Sequence, residues 1–209
     1  MKVLIINYNR LSLPTALADW VYKRNCDPIF IDNASDYKPL LNYYSHCPYQ
    51  VVWMNNNYGK SVIWDQKILD RLNITGDYIV TDPDLDLTGI PDNFLDILKE
   101  GLRRYPVFDK CGFSLETNDV TDESIYFQGK TIRQWEHQFW VNPMDAEYFN
   151  ASIDTTFALY KTDKFSLVAL RTNRPYTARH IPWYYDKEKL EDEEYYCKTA
   201  TDQSNIIRR

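Results

Sequence analysis

Tyr78-Ile79-Val80-Thr81-Asp82-Pro83-Asp84-Leu85-Asp86 is the stretch that decides the fold of this chain. Apolar and β-branched residues run directly into three aspartates at alternate positions, the pattern of a buried strand whose C-terminal end carries carboxylates. Open α/β sheets bind their ligands at that edge. Asp82 and Asp84 lie two apart in an extended segment stiffened by Pro83 and therefore share a face. Two carboxylates ~4 Å apart repel by roughly 4 kcal/mol at an effective dielectric of 20, and a hard divalent cation between them removes that cost. The plainer reading of such aspartates is as turn residues or helix caps, so the rest of the chain has to arbitrate.

Upstream, strand and helix alternate. Val3 to Asn7 reads as a buried strand, followed by a helix with Leu13, Leu17, Trp20 and Val21 on one face after a Ser12 cap and an early Pro14. Pro28 to Asp32 is a second strand, and its polar corner Asp32-Asn33-Ala34-Ser35 leads into a helix through Leu40 and Leu41. Gln50 to Trp53 is a third, followed by Asn55-Asn56-Asn57-Tyr58-Gly59-Lys60 and a helical stripe of Trp64, Ile68 and Leu72. Tyr78 to Thr81 is the fourth. Such alternation predicts a mostly parallel sheet flanked by helices. Every one of the four strand ends is polar.

Beyond residue 90 the pattern changes. A capped helix is expected from about Asp92 to Arg103, with Phe94, Leu95, Leu98 and Leu102 inward, then a strand from Cys111 to Leu115. Thr117 to Gly129 reads as a loop or lid, Thr131 to Trp140 as an aromatic-rich helix. Thr155 to Tyr160 and Ser166 to Arg171 read as two strands joined by a Thr162-Asp163-Lys164 turn, and Lys187 to Thr199 as a charged helix closing over the molecule. Its Glu191-Asp192-Glu193-Glu194 run reads as a solvated face, and no linker separates two domains.

Composition limits the function. The 209 residues are 44% hydrophobic and 15% aromatic, enough for a substantial core. Twenty-four basic against thirty acidic residues give a formal charge of -6, which argues against nucleic acid as a partner. No apolar run approaches a transmembrane length, and Val3-Leu4-Ile5-Ile6 is too short for a signal-peptide core, so the expectation is a cytoplasmic protein, in the host cytoplasm if virus-encoded. The four scattered cysteines lack metal or redox spacing and read as free thiols. Three N-glycosylation patterns, at Asn33, Asn73 and Asn150, are read as chance matches. Neither GxGxxG nor GxxxxGK[ST] is present, and six glycines are too few to cradle a diphosphate on backbone alone. A metal held by carboxylates is the alternative, with magnesium or manganese suited to oxygen ligands and a histidine favouring manganese.

Asn7-Tyr8-Asn9-Arg10, Asp32-Asn33-Ala34-Ser35, Asn56-Asn57-Tyr58-Gly59 and Asp82-Pro83-Asp84, in that order after four strands, resemble the GT-A fold glycosyltransferases of the family 2 type over roughly the first ninety residues. Asp154-Thr155-Thr156-Phe157-Ala158-Leu159-Tyr160 and Ala178-Arg179-His180-Ile181-Pro182-Trp183-Tyr184 are similar to short members of that group, which bacteria and large DNA viruses encode. The resemblance implies one GT-A domain, residues 1–90 forming the nucleotide-binding half and 91–209 the acceptor half, either whole or cut from a longer enzyme. It implies a Mn2+- or Mg2+-dependent transfer of a hexose from a UDP-sugar to a glycan or glycoprotein hydroxyl. Asp32 would meet the uracil, with Asn7, Tyr8, Arg10, Asn56 and Gly59 lining the nucleoside pocket. Asp82 would touch ribose or metal-bound water, Asp84 and His180 would ligate the metal, and Lys60 and Arg179 would meet phosphate charge. A shifted Asp84/Asp86 pair is the alternative metal site. The chain lacks the usual Glu-Asp pair of family 2, so Asp154 is the first candidate for the base of an inverting transfer, with Glu136 and Asp119 behind it. Trp135, Trp140, Trp183 and Tyr184 are either core or an acceptor surface. The competing functions are a sugar-phosphate nucleotidyltransferase and a lectin-like protein on a transferase scaffold. The nucleotidyltransferase would want glycines after the first strand, and the lectin has no use for an intact Asp82/Asp84 pair.

Overall fold

The computed structural model describes residues 1–121, 126–184 and 190–200. In chain order the elements are β1 (Lys2–Asn7), α1 (Ser12–Tyr22), β2 (Asp27–Asp32), α2 (Lys38–Tyr44), β3 (Gln50–Trp53), α3 (Val62–Asp65), α4 (Ile68–Arg71), β4 (Tyr78–Thr81), β5 (Leu85–Asp86) and α5 (Phe94–Arg104). Then come β6 (Lys110–Gly112), β7 (Ser114–Leu115), β8 (Tyr126–Phe127), β9 (Lys130–Thr131), α6 (Ile132–His137), β10 (Tyr148–Asn150), β11 (Ala158–Tyr160), β12 (Leu170–Thr172), β13 (Thr177–His180) and α7 (Glu191–Thr199).

The central sheet runs in the order β10-β12-β6-β11-β4-β1-β2-β3. β3, β2, β1 and β4 are mutually parallel, as the strand-helix alternation requires. β11 enters antiparallel between β4 and β6, β12 runs parallel to β6, and β10 closes the edge antiparallel to β12. The fold is therefore α/β, a large mostly parallel sheet flanked by helices and accompanied by smaller sheets. β1 explains why the sheet is covered on both sides. Val3 and Ile5 pack into one core with α1, α2 and α5, while Leu4 and Ile6 pack into a second with α3 and α4. All four side chains are buried, so no face of this strand is left for water.

Several local expectations are revised. Trp64, Ile68 and Leu72 do not form one helix, because Lys67 adopts a left-handed backbone (φ +49°) that breaks the segment into two single turns. The segment Cys111 to Leu115 is not one strand. β6 stays in the central sheet, and β7 leaves it for a three-stranded sheet with β13 and β5. Gly112 makes the close approach to β11 possible, since a Cβ there would lie 2.6 Å from the Phe157 carbonyl oxygen. β11 and β12 do not pair with each other, because β6 lies between them.

Ser12 does not cap α1 with its own side chain. The Asp192 carboxylate, 180 residues further along, accepts from the Leu11 and Ser12 backbone N–H groups at 2.7 Å each and from the Ser12 hydroxyl at 2.9 Å. Asp192 and Glu193 are 3% and 2% exposed, so half of the acidic run on α7 is buried and not a solvated face. The four cysteines are free thiols. No helix among the described residues is long and apolar enough to cross a membrane. Lys187 to Lys189, at the start of the expected last helix, lie outside the described residues.

Candidate functional site

The carboxyl edge of the sheet opens into a cleft of about 640 Å3, within the usual range for small-molecule sites. It is lined by residues from the ends of β1 (Asn7, Tyr8, Arg10), β3 (Asn57, Gly59, Lys60) and β4 (Asp82, Asp84), and by Asp154 and His180 from the second half of the chain.

Asp84 and His180 meet through backbone pairing. β5 continues the aspartate segment and pairs antiparallel with β13, His180 opposite Leu85, and the Ile181 N–H donates to the Asp84 carbonyl at 3.0 Å. His180 Nε2 stands 3.4 Å from Asp84 Oδ2 and its ring lies edge-on to Trp183. Burial disfavours the imidazolium, but the Asp84 carboxylate more than offsets this and raises the His180 pKa. Burial likewise opposes ionisation of Asp84, yet the charges of His180 and Arg10 hold its carboxyl well below the usual range. Arg10 Nη1 donates to Asp84 Oδ2 at 2.9 Å. The guanidinium also reaches α7, with Nη2 donating to Glu193 Oε2 at 3.1 Å and Nε standing 2.6 Å from Oε1, outside hydrogen-bonding geometry. The Tyr196 ring covers it at 3.7 Å.

Asp82 is held differently. Its Oδ1 accepts from the Thr155 hydroxyl at 2.6 Å, and its N–H donates to the Thr155 carbonyl, which sets the 154–157 segment beside the end of β4. Burial, then the neighbouring charges of Asp154 and Asp84, push its carboxyl up to about 7. Asp154 shows the opposite behaviour. Burial opposes its charge, but Lys60 at 3.3 Å and a backbone N–H keep its pKa below the ordinary value. Beneath it, the buried Lys110 ammonium donates to the Ile153 and Asp154 carbonyls, at 3.0 Å for the latter, and to the Tyr160 hydroxyl at 3.1 Å. Burial depresses the Lys110 pKa to about 8.

No family model matches this chain, and no curated protein matches its sequence. The functional reading therefore rests on the site itself.

Of the residues singled out from sequence, Asn7, Tyr8, Arg10, Gly59, Lys60, Asp82, Asp84, Trp135, Glu136, Asp154, His180 and Trp183 share the cleft. Asp32, Asn56, Asp86, Asp119, Trp140, Arg179 and Tyr184 do not line it. Asp32 is fully buried with Oδ1 accepting from the Ser35 N–H, and its Oδ2 has no partner. Its neighbour Asn33 lines the cleft instead and bridges to the Gly59 carbonyl. Asn56 is exposed and bonds to the next backbone N–H, leaving Asn57 on the cleft wall. Arg179 precedes His180 on a strand whose side chains alternate, and it turns away to pair with Asp119 at 2.7 Å. Asp119 is thereby occupied, also by the Tyr184 hydroxyl. Asp86 accepts from the Thr88 N–H and is not in the cleft, and Trp140 packs on Phe149. The sequence reading missed Glu193 and Lys110, and also Arg171, which pairs with Glu136. The signal for two of them was a cation set in a strand, Arg171 after the apolar run Leu167 to Leu170 and Lys110 at the start of β6.

Among the described residues, no group of three or more His, Cys, Asp and Glu is arranged to hold a metal ion. Asp84 and His180 nevertheless converge, and Asp84 Oδ1 is buried without a partner. A small divalent ion commonly takes only one or two protein groups and completes its octahedron with substrate phosphates and water. The pair fits that mode, with Arg10 as a competing cation on the same carboxylate.

Proposed function

We propose that this chain is a GT-A type glycosyltransferase that moves a hexose from a UDP-sugar to a glycan hydroxyl, with Mn2+ or Mg2+ held at Asp84 and His180. The observation that carries the reading is the convergence of Asn7, Lys60, Asp82, Asp84, Asp154 and His180, from five separate places in the chain, on one cleft at the carboxyl edge of the sheet. Cations at this edge suit a diphosphate, and the amide and tyrosine groups of the β1 loop suit a nucleoside.

Departure of the diphosphate builds negative charge on its oxygens. A bound divalent cation supplies Lewis-acid stabilisation of that charge. Arg10 and Lys60 stand in the same cleft but are already matched, Arg10 by Asp84 and Glu193 and Lys60 by Asp154, so their part is to supply N–H donors to the diphosphate while the net positive charge would come from the metal. Each ~1.4 kcal/mol gained only in the transition state is about tenfold in rate. Asp154, kept ionised by Lys60, is the acceptor of the proton from the attacking hydroxyl, and Lys110 fixes its backbone from below. Attack from the face opposite the leaving group inverts the anomeric centre.

Thermal melting with UDP, GDP and CMP, each with and without Mn2+, tests the reading. UDP at a hundred times its Kd stabilises by about 2.7 kcal/mol, a rise of ~5–10 °C for a domain of this size. The expected result is a rise with UDP only when Mn2+ is present. A flat response to all three nucleotides contradicts it and returns the lectin reading.

A further inference from the structure

The half of the cleft away from Asp84 has a different chemistry. Ile132, Trp135 and Glu136 share one face of α6, at spacings of three and four, and all three line the cleft. Phe127 from β8 meets the Trp135 ring edge-to-face at 4.6 Å, and Phe139 follows in the next turn, with the Arg171 guanidinium 4.0 Å from its centroid. At the floor, Arg171 Nη1 donates to Glu136 Oε2 at 3.1 Å while its Nε holds the Ser152 carbonyl. Both side chains are about 95% buried. An ion pair so placed is poor value for stability, because desolvation consumes most of the Coulomb gain and an apolar pair would pack as well. Its position at the floor of an aromatic-walled cleft gives it another use.

From this we infer that the aromatic half of the cleft is a binding subsite for a neutral pyranose. A pyranose ring has an apolar face of C–H groups that packs on the half-buried Trp135 indole. Its equatorial hydroxyls need a donor and an acceptor side by side, and Arg171 and Glu136 supply one of each. The charges of the region close on themselves, Arg171 on Glu136 and Lys60 on Asp154. No net positive charge is left over for a uronic or sulfated sugar, so the site selects against acidic glycans. Arg171 Nε holds the carbonyl of Ser152, two residues before Asp154, and all three line the cleft, which places the subsite beside the proposed base. The role of the bound sugar as acceptor rests on the transferase reading. Occupation of the subsite does not, since it requires neither nucleotide nor metal.

The test is saturation-transfer NMR with cellotriose, maltotriose, mannobiose and a glucuronate-containing disaccharide, without nucleotide, on the wild type, Trp135→Ala and Glu136→Gln, each checked for folding by its melting transition. The wild type is expected to bind at least one neutral sugar and to prefer it to the acidic one. Trp135→Ala weakens that binding at least about tenfold. Glu136→Gln leaves the Arg171 charge unmatched and reverses the preference toward the glucuronate sugar, a gain that misfolding does not mimic. The inference is overturned by absence of binding to every neutral sugar, by a wild type that prefers the acidic one, by unchanged affinity in Trp135→Ala, or by unchanged selectivity in a folded Glu136→Gln. Mn2+-dependent UDP binding alongside any of those results leaves the donor site standing without this subsite. Neutral-sugar binding without a UDP response leaves the subsite standing without the transferase.

Discussion

Replacing Arg10 with Met removes the cation that two buried carboxylates share. Arg10 is 5% exposed, and it holds Asp84 at 2.9 Å and Glu193 at 3.1 Å beneath the Tyr196 ring. Breaking a buried ion pair by removing one partner costs about 3–5 kcal/mol, because the other charge stays behind without compensation. His180 still faces Asp84, which moderates that side, but Glu193 loses its ion-pair partner outright. A loss of ~4 kcal/mol corresponds to a melting temperature lower by about 8–16 °C in a domain of this size. Circular dichroism melting in low-salt buffer at neutral pH measures it. The second variant, Arg10→Met with Glu193→Met, takes away the stranded charge together with its partner and recovers at least about half of the loss. A single variant that melts within ~2 °C of wild type, or a double variant less stable than the single, refutes the claim that Arg10 is the charge that docks α7.

Three further outcomes follow from the same geometry. Asp192→Ala strips the remote cap from α1, a loss of about 1–2 kcal/mol in urea unfolding; an unchanged midpoint would mean that water replaces the carboxylate without cost. Lys110 has a native pKa depressed to about 8. Between there and its unfolded value near 10.4 the unfolded chain binds the extra proton, so the Lys110 contribution to stability rises with pH. The raised pKa values of Cys26 and Cys111 act in the opposite direction but in both proteins alike. The stability difference between wild type and Lys110→Met therefore moves in favour of wild type from pH 8 to 10, and a flat difference contradicts the assignment. Asp154→Asn is expected to cut transfer by about 10²–10⁴ with UDP affinity unchanged, and full turnover in that variant would clear Asp154 of the base role.

The strand-helix alternation of the first ninety residues was legible because it is written in local pattern. β1 to β4 appear within a residue of the positions the apolar runs indicate, and their polar ends mark the cleft. What pattern could not convey is pairing across long separations. β5 is two residues long and exists because β13 lies alongside it, and that pairing delivers His180 to Asp84. β6 separates two segments whose sequence suggests a hairpin. The acidic run of α7 has the composition of a solvated helix, and only contact with Arg10 and the start of α1 makes two of its carboxylates interior groups. Arg179 illustrates the reverse error, since its place next to a site residue suggested a role that strand alternation removes.

Calorimetric titration of UDP into the wild type and Asp84→Asn, each in Mn2+ and in a chelator, reads out whether a metal at Asp84 is what binds the nucleotide. The expected result is binding by the wild type in Mn2+, and at least about a hundredfold weaker binding both in chelator and in the variant. Equal affinity in all four titrations, or no binding in any of them, would contradict it.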